Sequence, residues 1–226
     1  EGNTVELFQI WMNLPAADKM VEPHFTMFWG EDIPQHRHVD GAGAATTVTV
    51  IAGEYEGRTP HSPPPASWAS RTEADVAIWH VVMEPGARLT LPPARGVDTV
   101  RVLYVFEGGV AVDGDAADKD TGVVVEAGAP APLVAGAQGA EILMLQARPI
   151  GEPVAQYGPF VMNTQDEIEQ AFRDYRATGF GGWPWDRPDP VHGADAARFA
   201  RHANGRIERP GIDPAQADGG VVAKSS

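Results

Sequence analysis

Between residues 46 and 148 the chain breaks into short apolar, β-branched runs cut by turn-forming residues, and this rhythm limits the fold more than any other feature. The runs are 47–52, 77–83, 87–91, 100–106, 110–112, 122–126 and 141–146. Between them stand Gly53, Pro63-Pro64-Pro65, Glu84-Pro85-Gly86, Gly108-Gly109, Asp113-Gly114-Asp115 and residues 127–132. Strand-length stretches with Gly, Pro and Asp punctuation predict a sandwich, barrel or jelly roll. No strand–helix–strand alternation accompanies them, which argues against a Rossmann-like sheet. Gly136-Ala137-Gln138-Gly139 reads as one more turn between strands.

The flanking regions read differently. Residues 5–13 carry apolar side chains on both alternating faces, Val5, Leu7 and Trp11 on one and Phe8, Ile10 and Met12 on the other, as a strand buried on two sides would. Leu14-Pro15 ends it, and residues 15–45 read as a connector rich in charge, Pro and Gly. After the strand region, Thr164-Gln165-Asp166-Glu167 has the form of a capping box. Ile168, Ala171, Phe172 and Tyr175 then give an apolar helical stripe, and Gly179 a stop signal. The expected organisation is thus a strand at 1–14, a connector at 15–45, a barrel at 46–150, an extended segment with a docking helix at 151–185, and a poorly ordered tail at 186–226. The tail admits one short helix, near 194–202.

Composition narrows the function classes. A net charge of −14 weighs against direct nucleic-acid binding, which needs Lys and Arg to displace counterions. The absence of Cys removes disulfides, thiolate catalysis and Cys-ligated metal centres, and suits the cytoplasm. No apolar run approaches the roughly 20 residues of a membrane span. The opening Glu1-Gly2-Asn3-Thr4 has neither an initiator Met nor a leader pattern, so a processed chain or a piece of a longer reading frame is expected.

Seven histidines decide whether a metal is plausible. His36-Arg37-His38 is the one H-x-H, a spacing that puts both imidazoles on one face of a strand. It falls in the connector beside Asp40 with no Glu following at metal spacing, so a solvated basic loop is expected there. His80 sits in an apolar strand and His61 beside a Pro run, while His24, His192 and His202 have no partner at metal spacing. Gly-x-Ser-x-Gly and phosphate-cradling Gly-rich motifs are absent, and Glu73 and Asp75 read as solvated loop carboxylates. No catalytic, cofactor-binding or metal-binding residue is expected in the chain.

Three stretches together resemble the pirin family. Glu6-Leu7-Phe8-Gln9-Ile10-Trp11-Met12-Asn13-Leu14-Pro15 with Lys19-Met20 is similar to its "FQLWVNLP…KM" segment, and Val50-Ile51-Ala52-Gly53-Glu54 to its "VIAGE" stretch. Gly151-Glu152-Pro153 through Tyr157-Gly158-Pro159-Phe160-Val161-Met162-Asn163-Thr164 resembles its C-terminal signature. The likeness runs over roughly residues 5–185. It implies an all-β, cupin-type double-stranded β-helix (a jelly-roll barrel) with one C-terminal helix, forming the C-terminal part of a bicupin.

In that family a mononuclear iron lies in the N-terminal cupin, held by H-x-H and H-x-E motifs, and this chain has no residue to which those ligands carry over. The N-terminal cupin is therefore expected to be missing. Around Leu91 to Gly108, where the C-terminal barrel would have the first cupin motif, Asp98, Thr99 and Arg101 stand in place of ligating His, and Glu107 reads as structural. The resemblance implies a complete protein that is an iron-dependent quercetin 2,3-dioxygenase acting on a small aromatic substrate, with a protein-binding or transcriptional co-regulator module as the alternative. A third possibility is a cryptic metal site made by His36, His38 and a distant carboxylate. The strand at 5–13 and the stripe of Ile168, Phe172 and Tyr175 are expected to pack on the missing barrel, so that this chain alone self-associates.

Overall fold

Runs of Val, Ile, Leu and Thr extend because branched side chains favour β backbone and pack well on a pleated surface. The computed structural model describes residues 5–96, 98–179, 182–183, 186, 197–202 and 204–211. Its strands are β1 (Gln35–Val39), β2 (Ala45–Ala52), β3 (Ala77–Met83), β4 (Arg88–Leu91), β5 (Val100–Val112), β6 (Asp115–Asp118), β7 (Thr121–Val125) and β8 (Ala131–Ala147). They form one antiparallel sheet in the order β1-β2-β3-β8-β5-β6, with β4 added on β8 and β7 on β5. A short hairpin of β9 (Ala155–Tyr157) and β10 (Phe160–Met162) follows, then helix α1 (Gln165–Thr178) and a second hairpin of β11 (Ala200–Arg201) and β12 (Ile207–Glu208).

The long strands β5 and β8 turn the sheet back on itself. β8 pairs β4 through residues 131–134 and β3 through residues 140–146, so its two halves serve different parts of the jelly roll. The glycines expected to make turns instead lie inside these strands. Gly108 has φ +70° and Gly139 φ +81°, and the β5–β8 register shifts between Gly108 and Val110. A Cβ on Gly108 would come within 2.2 Å of the Gly139 carbonyl oxygen, so only glycine permits this crossing of strands.

Cross-strand registers stack the interior in rows. Val50, Trp79, Met144 and Leu103 form one row and Val48, Val81, Ile142 and Val105 the next, and all eight are buried. The opposite face carries His80, Leu143 and Tyr104, and there the expected strand at 5–13 lies. It joins no ladder among the described residues, because β3 and β5 beneath it are already paired on both sides. It packs through rings instead, Phe8 lying 4.8 Å from Phe106 and 6.2 Å from Tyr104. Ala16 N–H donates to Glu152 Oε2 (2.7 Å), and Lys19 Nζ donates to Asn13 Oδ1 (2.5 Å) and the Val161 carbonyl (3.1 Å), which fastens the segment to the C-terminal hairpin.

The capping box of α1 forms with both of its reciprocal bonds, and Gly179 closes the helix at φ 56°. The stripe faces the hairpin of its own chain: Ile168 is buried, and Phe172 meets Phe160 edge-on at 4.8 Å and Tyr157 at 5.7 Å. The short helix expected near 194–202 is corrected at its C-terminal end, where Ala200 and Arg201 pair with β12, while 194–196 lie outside the described residues. Arg198 holds both carboxylate oxygens of Glu31 at 2.9 Å, so this part of the tail docks on the early connector. No described helix is long and apolar enough to cross a membrane.

Candidate functional site

The H-x-H pair lies on strand β1, not in a loop. Its residues alternate in exposure, and His36 and His38 share a face with their cross-strand partners Val48 and Thr46, both buried. The strand was missed because polar side chains fill its inward positions, which erases the apolar period. Asp40 makes the turn that returns the chain into β2: Oδ1 accepts from Ala42 N (2.8 Å) and Ala44 N (3.0 Å), and Oδ2 from Arg88 N (3.0 Å). Desolvation opposes its ionisation, but these backbone N–H groups outweigh it and hold the carboxyl below its ordinary pKa.

Beside the pair opens a cavity of about 640 Å³ lined by His36, His38, Tyr55, Glu56, Arg88 and Leu133 among others. The Tyr55 ring meets His36 edge-on at 5.5 Å, and burial pushes its phenol up to about 12. No group of three or more His, Asp or Glu among the described residues is placed to hold a metal ion. Asp40 is committed to backbone donors, and Glu56 is the other carboxylate on the cavity wall.

The other histidines are occupied singly. His61 Nε2 donates to the Asp32 carbonyl (2.8 Å) while its ring stacks on Phe28, and His24 bonds Thr26 Oγ1 (2.9 Å). His80 lies 3.2 Å from Glu141 Oε2 and its ring 5.6 Å from that of Phe106. His202 sits 3.0 Å from Glu208 Oε1, and His192 lies outside the described residues.

The residues standing where cupin ligands were expected form a polar cluster at one end of the barrel. Asp75, at φ 47°, is no solvated carboxylate: its Oδ2 accepts from Thr99 Oγ1 (2.8 Å), Arg95 N (3.0 Å) and Gly96 N (3.3 Å). Arg101 points inward from β5 and is 1% exposed. Its Nε and Nη2 donate to Gln146 Oε1 (2.8 and 2.5 Å) and its Nη1 to the Pro92 carbonyl (2.7 Å), with the guanidinium 5.9 Å from the Trp79 ring centre. Gln146 in turn donates to the Asp75 carbonyl (2.9 Å). Asp98 only approaches Arg148 at 3.9 Å, and Glu107 pairs with Lys119 (2.7 Å) on the surface, the ammonium drawing its pKa down.

On the far side, residues 11–14, 19 and 20 face the β9–β10 hairpin and α1 across a groove of about 760 Å³. Trp11 is 66% and Met20 73% exposed along it.

Residues 78–181 match the family model of the pirin C-terminal cupin domain. A pirin-like protein of Caulobacter vibrioides is 36% identical over 173 residues, which is 76% of this chain and 58% of that protein. Human pirin is 31% identical over 74% of this chain and 54% of its own length. The crystal structure of a quercetin 2,3-dioxygenase from Acinetobacter baumannii superposes with a TM-score of 0.63 at 27% identity, covering 75% of this chain and 55% of that one. The chain spans about half the length of the curated relatives it matches. The jelly roll described above is accordingly a cupin, and the chain carries the C-terminal cupin domain of the pirin family.

Proposed function

We propose that this chain is the metal-free C-terminal cupin of a pirin-like protein whose complete form is an iron-dependent dioxygenase of flavonol-like aromatics, of the quercetin 2,3-dioxygenase type. The observation that carries this reading is how the barrel interior is filled. Rows of Val, Leu, Ile, Met and Trp occupy it, and the buried guanidinium of Arg101 stands at its end. A fixed positive charge in a low-dielectric interior repels a second cation. The residues present do not fit iron, so no catalytic step is assigned to them.

Likeness to a crystallised quercetin 2,3-dioxygenase supports the reaction class, and about half of that protein lies outside the match. In this proposal the iron sits in a second cupin barrel supplied by that part, where it offers open coordination positions to dioxygen and substrate. The role of this chain is to pack against that barrel through its exposed apolar residues, among them Leu7 and Trp11, and to close it from water. A cytoplasmic setting belongs to the same proposal.

The complete reading frame, purified and loaded with iron(II), tests this by quercetin-dependent oxygen uptake. Uptake in step with quercetin loss is the expected result. No uptake by the iron-loaded protein overturns the dioxygenase reading and favours the second one, a protein-binding or transcriptional co-regulator module, for which the open apolar groove is the supporting observation.

A further inference from the structure

Arg101 is a buried charge whose acceptors are all neutral: the Gln146 amide oxygen, bonded twice, and the Pro92 carbonyl. A guanidinium carries five N–H donors in one plane. Three are used here, so one on Nη1 and one on Nη2 have no acceptor among the described residues. The one acid that bears on its charge, Asp75, has Oδ2 committed to Thr99, Arg95 and Gly96. Tying β5 to β8 and to the Pro92 turn needs no charge, since a neutral amide could donate to the same oxygens, and keeping one buried there is costly unless an anion answers it.

Arg101 and Gln146 line a cavity of about 490 Å³ whose wall also includes Ile51, Trp79, Pro92 and Ala94. We propose that this cavity binds the carboxylate of a small, flat organic acid, anchored on the free N–H groups of Arg101. Two N–H groups on neighbouring nitrogens of one plane match the two oxygens of a carboxylate. Trp79, Ile51 and Pro92 offer the body of the ligand an apolar wall. Inorganic phosphate is the competing oxyanion: the same wall carries Glu54 and Asp75 but also Arg71 and Arg95, and it is the apolar side chains, which phosphate cannot use, that favour a carboxylate with a flat body.

The test is calorimetric titration of the full chain with benzoate, with benzamide as the uncharged isostere and inorganic phosphate as the competing oxyanion. The expected result is saturable one-to-one binding of benzoate, with benzamide and phosphate each weaker by about tenfold or more. Arg101→Lys, which keeps the charge and loses the fork, weakens benzoate by about tenfold. Because Arg101 is also a packing residue, Ala94→Phe gives an independent arm: Ala94 is a half-buried residue of the cavity wall that makes none of the guanidinium bonds, and a phenyl group there is intended to take up cavity volume. A folded Ala94→Phe protein that binds benzoate as the parent does overturns the proposal. So does the absence of saturable benzoate binding, benzamide binding as tightly as benzoate, or phosphate binding more tightly.

Discussion

Leu103→Ala measures how tightly the barrel interior is packed, and Val124→Ala on the neighbouring strand supplies its contrast. Leu103 is fully buried, stacked in the row of Met144 and facing Val123 across the β5–β7 ladder, whereas Val124 is 72% exposed and lies opposite Val102 on the outer face. Removing three carbons from Leu103 forfeits about 0.8 kcal/mol for each, and the void left in a row that cannot collapse adds about 1 kcal/mol. The total is about 3.5 kcal/mol, which for a chain of this size lowers the melting temperature by about 7–14 °C. Val124→Ala stays within about 0.5 kcal/mol. Urea unfolding followed by circular dichroism reads both. Because a one-residue slip of β7 exchanges its faces, comparable losses at the two positions, or a larger one at Val124, would refute the register on which the filled interior rests.

Other perturbations have equally definite outcomes. Thr164→Ala deletes the bond from Glu167 N–H to the cap hydroxyl and costs about 1 kcal/mol, seen as faster amide exchange in the first turn of α1. Tyr55 stays protonated until the pH nears about 12, while an unfolded tyrosine ionises near 10, so stability is lost as pH rises through that window. Tyr55→Phe removes the late component of a spectroscopic phenolate titration and flattens that loss. With Leu7 81% and Trp11 66% exposed, this chain alone is expected to self-associate, and the pair Leu7→Ser and Trp11→Ser shifts its sedimentation toward monomer.

The strands of the barrel were legible wherever branched apolar residues alternate, as in 77–83, which the structure bounds at the same residues. Glycine obscured the rest. Gly108-Gly109 and residues 136–139 look like turns, but they lie inside β5 and β8, where Gly108 and Gly139 sit against neighbouring backbone too closely for a Cβ. β1 was hidden because its inward positions are histidines, and parity on a strand is visible only once the strand is known. Conversely, residues 5–13 have strand-like alternation but lie over strands already paired on both sides, so the Phe8 ring rests on the sheet face instead. The capping box and stripe of α1 were readable because both are local, while the stripe's partner, the Phe160 hairpin, is a tertiary matter. Arg101 stood out in the sequence only as a residue in an unexpected place. Its burial follows from its inward position on β5, two residues before Leu103 and opposite Gln146 on β8.

The central claim, that this cupin holds no iron of its own, is tested most directly by elemental analysis of the purified chain after expression in iron-supplemented medium. The expected content is far below one iron per chain, unchanged by His36→Ala with His38→Ala. Close to one iron per chain, lost in that double variant, would contradict the claim and place a working metal centre at the mouth of the barrel beside Tyr55.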